Sequence, residues 1–314
     1  MSLILQRMPL NPQLHKRLAD RFAVHTFGLR QPTAEIPADL RPQIDVVFTA
    51  GNVPQTGADM DLLPNLKLIA CMGSGYEAID VAAAKARGIA VSNCINTNHE
   101  CVADIAWALM LSVGRHVVAS DAFLRAGKWT AGEPGYPRLL KTVHGSRLGI
   151  VGLGAIGREV ALRAAGFRMD VAWTGRAPKA DAPWRFVKDL EELATWADFL
   201  VVSLRASDET RHIISERIMR ALGPEGVLIN ISRGSTVDED ALARGLAEGW
   251  IGGAGLDVYE HEPRVHPGLI NQPNAVLLPH IGGWTWLSFE RQVDLVGDNI
   301  AAVRAGRPPV SPVA

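Results

Sequence analysis

Short apolar runs recur along this chain, and most end in glycine, serine, asparagine, aspartate or histidine. Between them lie stretches with apolar residues at helical spacing. Runs of the first kind predict strands buried on both faces, and their alternation with amphipathic helices predicts a parallel sheet. The first part of the chain predicts a helix over 11–22, a strand over 45–49 running into Ala50-Gly51, and a strand over 66–71 running into Met72-Gly73-Ser74-Gly75. A helix over 78–87, closed by Gly88, and a short strand over 89–91 complete this series. From about Thr97 the character changes to a long, mostly apolar helical stretch over 101–125, then a looser segment over 127–137 rich in Gly, Pro and Trp. A second alternating series follows, with strands at 148–151, from 171 onward, and at 199–204, 227–231, 255–259 and 275–280. Helices are expected at 190–197, 216–222 and 239–248, the last closed by Gly249. An amphipathic helix over 288–305 begins where the chain could cross back to the first lobe. The expected class is α/β, with two doubly wound lobes.

The stretch after the strand at 148–151 is the most informative. Gly152, Gly154 and Gly157 stand in a G-x-G-x-x-G spacing, with Ala155 and Ile156 between the last two, and a helix-forming segment follows. In a strand-turn-helix setting each glycine has a reason: the tight turn, the close approach of backbone to a pyrophosphate, and the packing of helix on sheet. The helix N-terminus then offers N–H groups to the phosphates. The next strand ends Thr174-Gly175-Arg176, with Lys179 close behind. An NAD site usually has a carboxylate there for the ribose hydroxyls, whereas an Arg accommodates a 2′-phosphate. Asp170 stands at the far end of the same strand. The reading is NADPH in preference to NADH, with NAD possible.

Length and composition narrow the partners. The 314 residues suit about two domains, and 47% hydrophobic with 21% charged residues is an ordinary globular balance. A net charge of −1 leaves no electrostatic footprint for nucleic acid or an anionic membrane. The three cysteines, Cys71, Cys94 and Cys101, form no C-x-x-C pair and suit reduced thiols in the cytoplasm. No signal peptide and no membrane-length apolar run is expected, and no His or Cys spacing resembles a metal site.

In open α/β sheets ligands lie beyond the carboxyl ends of the strands. The residues there are Gly73-Ser74-Gly75, Ser232-Arg233-Gly234, Asp257, Glu260-His261-Glu262 and His280-Ile281-Gly282. Arg233 supplies a fixed cation and a fork for a carboxylate, and His280 beside Glu262 makes a general acid. His99, His212 and His261 are candidates for the edge of the site; Asp104, His116 and Asp121 are read as structural or exposed.

At these residues the chain resembles the D-isomer-specific 2-hydroxyacid dehydrogenases. The similarity runs through Asn230-Ile231-Ser232-Arg233-Gly234-Ser235-x-Val237-Asp238, then Gly255-Leu256-Asp257-Val258-Tyr259-x-x-Glu262-Pro263, then Leu278-Pro279-His280-Ile281-Gly282. It implies two Rossmann-like lobes, with a dinucleotide-binding domain of residues 98–283 inserted into a substrate-binding domain of residues 1–97 and 284–314. It implies a homodimer through the coenzyme lobe and the long helical arm; the stretch 106–118 is either that interface or a buried core helix. The roles implied are these. The coenzyme lies along Gly152 to Gly157 with its nicotinamide near Ile231 and Asp257, and Asp257 holds the carboxamide. Arg233 binds the carbonyl and carboxylate of a 2-oxo acid, and the N–H groups of Ser74 and Gly75 hold its carboxylate. His280 protonates the alkoxide; Glu262 orients His280 and raises its pKa.

Within the family, Thr174-Gly175-Arg176 is similar to NADPH-using glyoxylate, hydroxypyruvate and hydroxyphenylpyruvate reductases. Glu262, where formate dehydrogenases carry Gln, separates the chain from them. Tyr76 departs from many relatives and either narrows the pocket or contacts the substrate tail; the segment 203–206 lacks the Pro of many relatives, and Arg205 there touches the coenzyme or nothing. The expected substrate is hydroxypyruvate or glyoxylate, with aryl-pyruvates as the alternative. A dinucleotide-sensing regulator is the alternative of another class.

Overall fold

The apolar runs of the first series become a parallel sheet of five strands. These are β1 (Leu3–Gln6), β2 (Val24–Thr26), β3 (Ile44–Ala50), β4 (Leu68–Met72) and β5 (Ala90–Ser92), in the spatial order β2-β1-β3-β4-β5. The structure is a computed structural model that describes residues 2–131, 136 and 139–313. Both faces of the sheet are covered, which is why its strands read as unbroken apolar runs rather than as alternation. Val46, Phe48, Leu68 and Ala70 pack under Leu14, Leu18, Val293, Val296 and Ile300. Val47, Ile69 and Cys71 face the other way, onto Leu63, Ile79 and Ala84. The first helix, Pro12–Ala19, starts at Asn11, whose side chain accepts the Leu14 N–H, with proline in the first turn. Strands β1 and β2 were not anticipated. Nothing in their few residues distinguishes them from loop until β3 pairs with β1.

The second series forms a seven-stranded parallel sheet. Its strands are β6 (Arg147–Val151), β7 (Asp170–Thr174), β8 (Arg185–Phe186), β9 (Phe199–Val202), β10 (Val227–Asn230), β11 (Gly253–Leu256) and β12 (Ala275–Leu277). The order is β12-β11-β10-β9-β6-β7-β8. Chain order reverses between β9 and β6, so the crevice beyond their carboxyl ends is the topological switch point. Three strands end earlier than the apolar runs suggested. The runs at 199–204, 255–259 and 275–280 stop as strand at Val202, Leu256 and Leu277, and their last residues form the loops beyond the sheet.

By internal contacts the chain divides into two units, Met1–Asn98 with Gly283–Ala314, and His99–Gly282. The terminal helix Trp286–Arg304 belongs to the first unit. Arg304 there forms a two-pronged ion pair with the buried Asp45 of β3, at 2.7 and 2.9 Å.

The stretch 101–125 is two helices, not one. His99–Gly114 and Val117–Arg125 meet at a 58° bend, where His116 takes a left-handed backbone at φ 49°. The first is core: Ala103, Ala106, Leu109 and Met110 are buried against the seven-stranded sheet. Within 106–114 this burial fits the core reading. Val117 and Val118 begin an exposed helix instead. No single helix among the described residues is long and apolar enough to cross a membrane, although this bent pair passes that test on length and composition. Of the looser segment, 132–135 and 137 lie outside the described residues.

Candidate active site

The glycine turn sits at the switch point of the seven-stranded sheet. Gly152 follows β6 with φ 95°, a conformation that costs a residue with a Cβ, and its own Cβ position is 2.6 Å from Leu204 Cα. Gly157 packs still closer: a Cβ there would stand 2.2 Å from Gly152 O and 2.8 Å from Ser203 Oγ. Ser203, just after β9, locks the turn by donating to Gly152 O at 2.7 Å. Gly154, in contrast, has open space where its Cβ would be. It caps the helix Ala155–Ala164 without any side-chain hydrogen bond, so the first-turn N–H groups, at Ala155, Ile156 and beyond, carry no cap of their own. An open cradle lined by backbone N–H at a helix start fits a pyrophosphate.

At the end of β7 the residues separate. Thr174 is buried, and its hydroxyl donates to Lys188 O at 3.3 Å, so this side chain supports the strand end. Gly175 and Arg176 are exposed, and Arg176 has no hydrogen-bond or ion-pair partner among the described residues. Lys179 is more than a neighbouring cation. Its Nζ reaches back to Leu153 O at 2.7 Å and closes the loop onto the glycine turn. Asp170 stands at the opposite end of β7.

Beyond β10 the backbone of Arg233 is clamped locally. Its carbonyl accepts from Asn230 Nδ2 at 3.0 Å and Thr236 Oγ1 at 2.7 Å, and Asn230 Oδ1 takes the Ser232 N–H. Ile231 is buried beside it. Gly234 lets this loop meet the segment after β11, since a Cβ there would stand 1.8 Å from the Tyr259 carbonyl carbon. Through that contact Arg233 and Glu262 belong to one cluster.

Glu262 faces His280. The ring Nδ1 is 2.8 Å from Glu262 Oε2 and 3.0 Å from Oε1. Burial alone pushes the Glu262 carboxyl up. The hydrogen bond and charge of His280, the Tyr259 N–H and the Arg233 charge outweigh it and hold the group below its ordinary range. With Nδ1 taken, His280 Nε2 is left without a partner among the described residues, and the side chain is 44% exposed. His280 has φ 54°, a left-handed backbone that costs a non-glycine residue about 1–3 kcal/mol. Asp257 holds it there: its two oxygens accept the Ile281 and Gly282 N–H groups, each at 2.8 Å. Burial pushes the Asp257 carboxyl up, against the pull of those two N–H groups. Asp257, expected to hold a carboxamide, shapes the His280 loop. Of the edge candidates, His212 pairs with Glu260 at 3.1 Å. Asp104 and Asp121 pair with Arg163 and Arg125.

In the other unit, β4 ends at Met72 and leads into Gly73-Ser74-Gly75. The N–H groups of Ser74 and Gly75 donate to no described residue. Gly51 packs against this loop so closely that a Cβ would stand 1.8 Å from Gly75 O. The side chains that hold the loop, Asn93 and Gln292, were absent from the sequence reading, because neither their spacing nor their type marks them.

The sequence profile of the D-isomer specific 2-hydroxyacid dehydrogenase NAD binding domain matches residues 107–282. A glyoxylate/hydroxypyruvate reductase of Arabidopsis thaliana is 37% identical over 99% of this chain and 98% of its own length. A hydroxyphenylpyruvate reductase of Plectranthus scutellarioides is 35% identical over the same shares. Among solved structures, the NADPH-dependent glyoxylate/hydroxypyruvate reductase of Sinorhizobium meliloti, in complex with NADP and malonate, superposes with a TM-score of 0.90. It is 35% identical and covers 100% of this chain and 97% of its own. An uncapped glycine cradle at the switch point, a histidine paired through Nδ1 to a glutamate, an arginine beside them, and these likenesses over the full length agree: the chain belongs to the D-isomer specific 2-hydroxyacid dehydrogenases.

Proposed function

We propose that the protein reduces a small 2-oxo acid, hydroxypyruvate or glyoxylate, to the D-2-hydroxy acid with NADPH. The observation that carries this reading is the His280–Glu262 pair, which leaves His280 Nε2 open within the cluster that holds the Arg233 charge. The coenzyme, when bound, supplies the hydride. This chain's residues do the rest. The Gly152–Gly157 turn and the first N–H groups of its helix hold the pyrophosphate, and the exposed Arg176 takes the 2′-phosphate. Ile231 and Asp257 border the nicotinamide. Arg233 polarises the substrate carbonyl and pairs with its carboxylate, whose other contacts are the N–H groups of Ser74 and Gly75. As the carbonyl carbon accepts hydride, negative charge gathers on its oxygen, and His280 gives that oxygen the proton from Nε2. Glu262 keeps the ring oriented and offsets its positive charge.

In this reading the unit His99–Gly282 is the dinucleotide-binding domain, and Met1–Asn98 with Gly283–Ala314 is the substrate-binding domain. The protein works as a cytoplasmic homodimer, a reading supported by three buried cysteines and by the exposed Val117, Val118 and Leu124 of the helical arm.

The test is the initial rate of hydroxypyruvate reduction with NADPH and with NADH. Faster turnover with NADPH is expected. Turnover mainly with NADH would keep the reaction and reject the role given to Arg176. Turnover of hydroxyphenylpyruvate alone would favour the aryl-pyruvate reading, which the Plectranthus relative supports. No turnover of any 2-oxo acid would favour a dinucleotide-sensing regulator.

A further inference from the structure

The loop after β4 is held by side chains that come from far along the chain. Gly73, at φ 85°, donates its N–H to Gln292 Oε1 at 2.7 Å, across 219 positions of sequence. Its carbonyl accepts the Cys94 N–H at 2.7 Å. The Ser74 carbonyl accepts from Asn93 Nδ2, also at 2.7 Å. Three of the four peptide groups on Gly73 and Ser74 are therefore committed. What remains is the Ser74 N–H and, next to it, the Gly75 N–H, neither with a partner among the described residues. Two successive N–H groups left over in this way are available to an anion.

Gln292 is an unusual occupant of its position. It is 4% exposed, on the face of the helix Trp286–Arg304 that otherwise carries Val293, Val296 and Ile300 into the core. An amide buried there is costly unless every polar atom is bonded, and an apolar side chain of the same length would pack without that cost. Its atoms are bonded in one sense only. Nε2 donates to Ser288 Oγ at 2.7 Å, and Ser288 is fully buried one turn earlier. With Nε2 spent on that hydroxyl, Oε1 must face Gly73. Ser288 lies in the first turn of the helix, and its N–H donates to the capping Thr285 hydroxyl at 3.2 Å. The helix start thus fixes the glutamine, and the glutamine fixes the loop.

We propose that Gln292 is a positioning residue for substrate: by taking the Gly73 N–H, it sets the Ser74 and Gly75 N–H groups as a paired cradle for the carboxylate of the 2-oxo acid. This rests on the reading above that those two groups bind that carboxylate. Asn93 acts on the same loop from its other side. Gln292 touches neither substrate nor coenzyme, so its loss acts on oxo-acid binding and leaves the dinucleotide alone.

The experiment compares Gln292→Met with the wild type in steady-state reduction of hydroxypyruvate by NADPH. Methionine keeps the length and removes the acceptor. The expected result is a KM for hydroxypyruvate raised about tenfold, the loss that follows from one misdirected hydrogen bond in a charged site. The KM for NADPH stays unchanged. An unchanged KM for hydroxypyruvate would overturn the proposal, as would a parallel rise in the KM for NADPH. If Gln292→Met fails to fold, Ser288→Ala carries the same expectation, because it frees Nε2 and lets the amide turn. Ser74→Pro, which deletes one of the two N–H groups, separates the layers. A raised KM in Ser74→Pro with none in Gln292→Met overturns the positioning role and keeps the carboxylate reading. No change in either variant overturns both.

Discussion

Both carboxylate oxygens of Glu262 lie within 3.0 Å of one atom, His280 Nδ1. That geometry leaves Nε2 as the only ring nitrogen that can exchange a proton with a ligand. Replacing His280 by Asn removes the donor and keeps the shape of the loop. The expected result is a fall in kcat of about 10²–10⁴, the usual worth of a positioned general acid. NADPH affinity, read by quenching of its fluorescence, should stay at the wild-type value. A variant that loses NADPH binding along with turnover would show that His280 acts on the coenzyme site instead.

The same pair gives stability a defined dependence on pH. Glu262 has a folded pKa held below the carboxyl value of 4.5. A group of that kind contributes stability that is fully present above its unfolded pKa and is lost as pH falls through the folded value. Glu262→Gln has no such term. Below about pH 5 the gap in unfolding free energy between wild type and Glu262→Gln should therefore shrink as pH falls through the folded value. Urea unfolding at a series of pH values measures it, and a gap that widens below about pH 5 would contradict the assignment.

Arg176 stands exposed at the end of β7 with no partner among the described residues, so its replacement by Ala should leave the fold untouched. A charge-assisted contact to a phosphate is worth about 1.5–3 kcal/mol, which predicts a KM for NADPH raised about tenfold or more. The KM for NADH should not move. Equal effects on the two coenzymes would place Arg176 near the pyrophosphate rather than the ribose phosphate.

Two glycines of the same motif should fail in different ways. A Cβ on Gly157 would stand 2.2 Å from Gly152 O, so Gly157→Ala must shift the helix or the turn. It should lower the melting temperature as well as coenzyme affinity. A Cβ on Gly154 meets nothing, and its φ of −81° suits alanine. Gly154→Ala should therefore melt like the wild type, yet bind NADPH more weakly, because the added methyl enters the phosphate cradle. Undiminished affinity in Gly154→Ala would move the pyrophosphate elsewhere.

Asp45 and Arg304 join the fifth decade of the chain to its end. Asp45 is buried, so Arg304→Met leaves a carboxylate without its partner and should cost about 3 kcal/mol of unfolding free energy. Adding Asp45→Leu should recover most of that loss. Both are read from urea unfolding curves. No loss in the single variant would mean that water replaces the arginine at β3.

The parallel α/β class was legible because it rests on local pattern. Buried strands such as Phe199–Val202 show as apolar runs, and the strand-turn-helix around Gly152, Gly154 and Gly157 lies within one continuous segment. The ends of β9, β11 and β12 were less legible. Apolar residues continue past the point where strand pairing stops, as at Val258 and Tyr259, which are buried beyond the end of β11. The bend at His116 was invisible for a related reason: apolar residues at helical spacing occur on both sides of it, and periodicity records a buried face, not a change of direction.

By itself, then, the sequence determined two parallel sheets, a glycine turn for a dinucleotide, and an arginine, a glutamate and a histidine standing beyond strand ends. Only the tertiary structure decided that Glu262 meets Nδ1 rather than Nε2. It alone showed that Asp257 spends both oxygens on the Ile281 and Gly282 N–H groups, and that Gln292 reaches Gly73. The physical reason is the range of the forces. Burial and helix or strand preference act on each residue through its neighbours, so they leave a periodic trace. A hydrogen bond between residues 219 positions apart depends on where two surfaces meet, and it leaves no trace in the pattern of either segment.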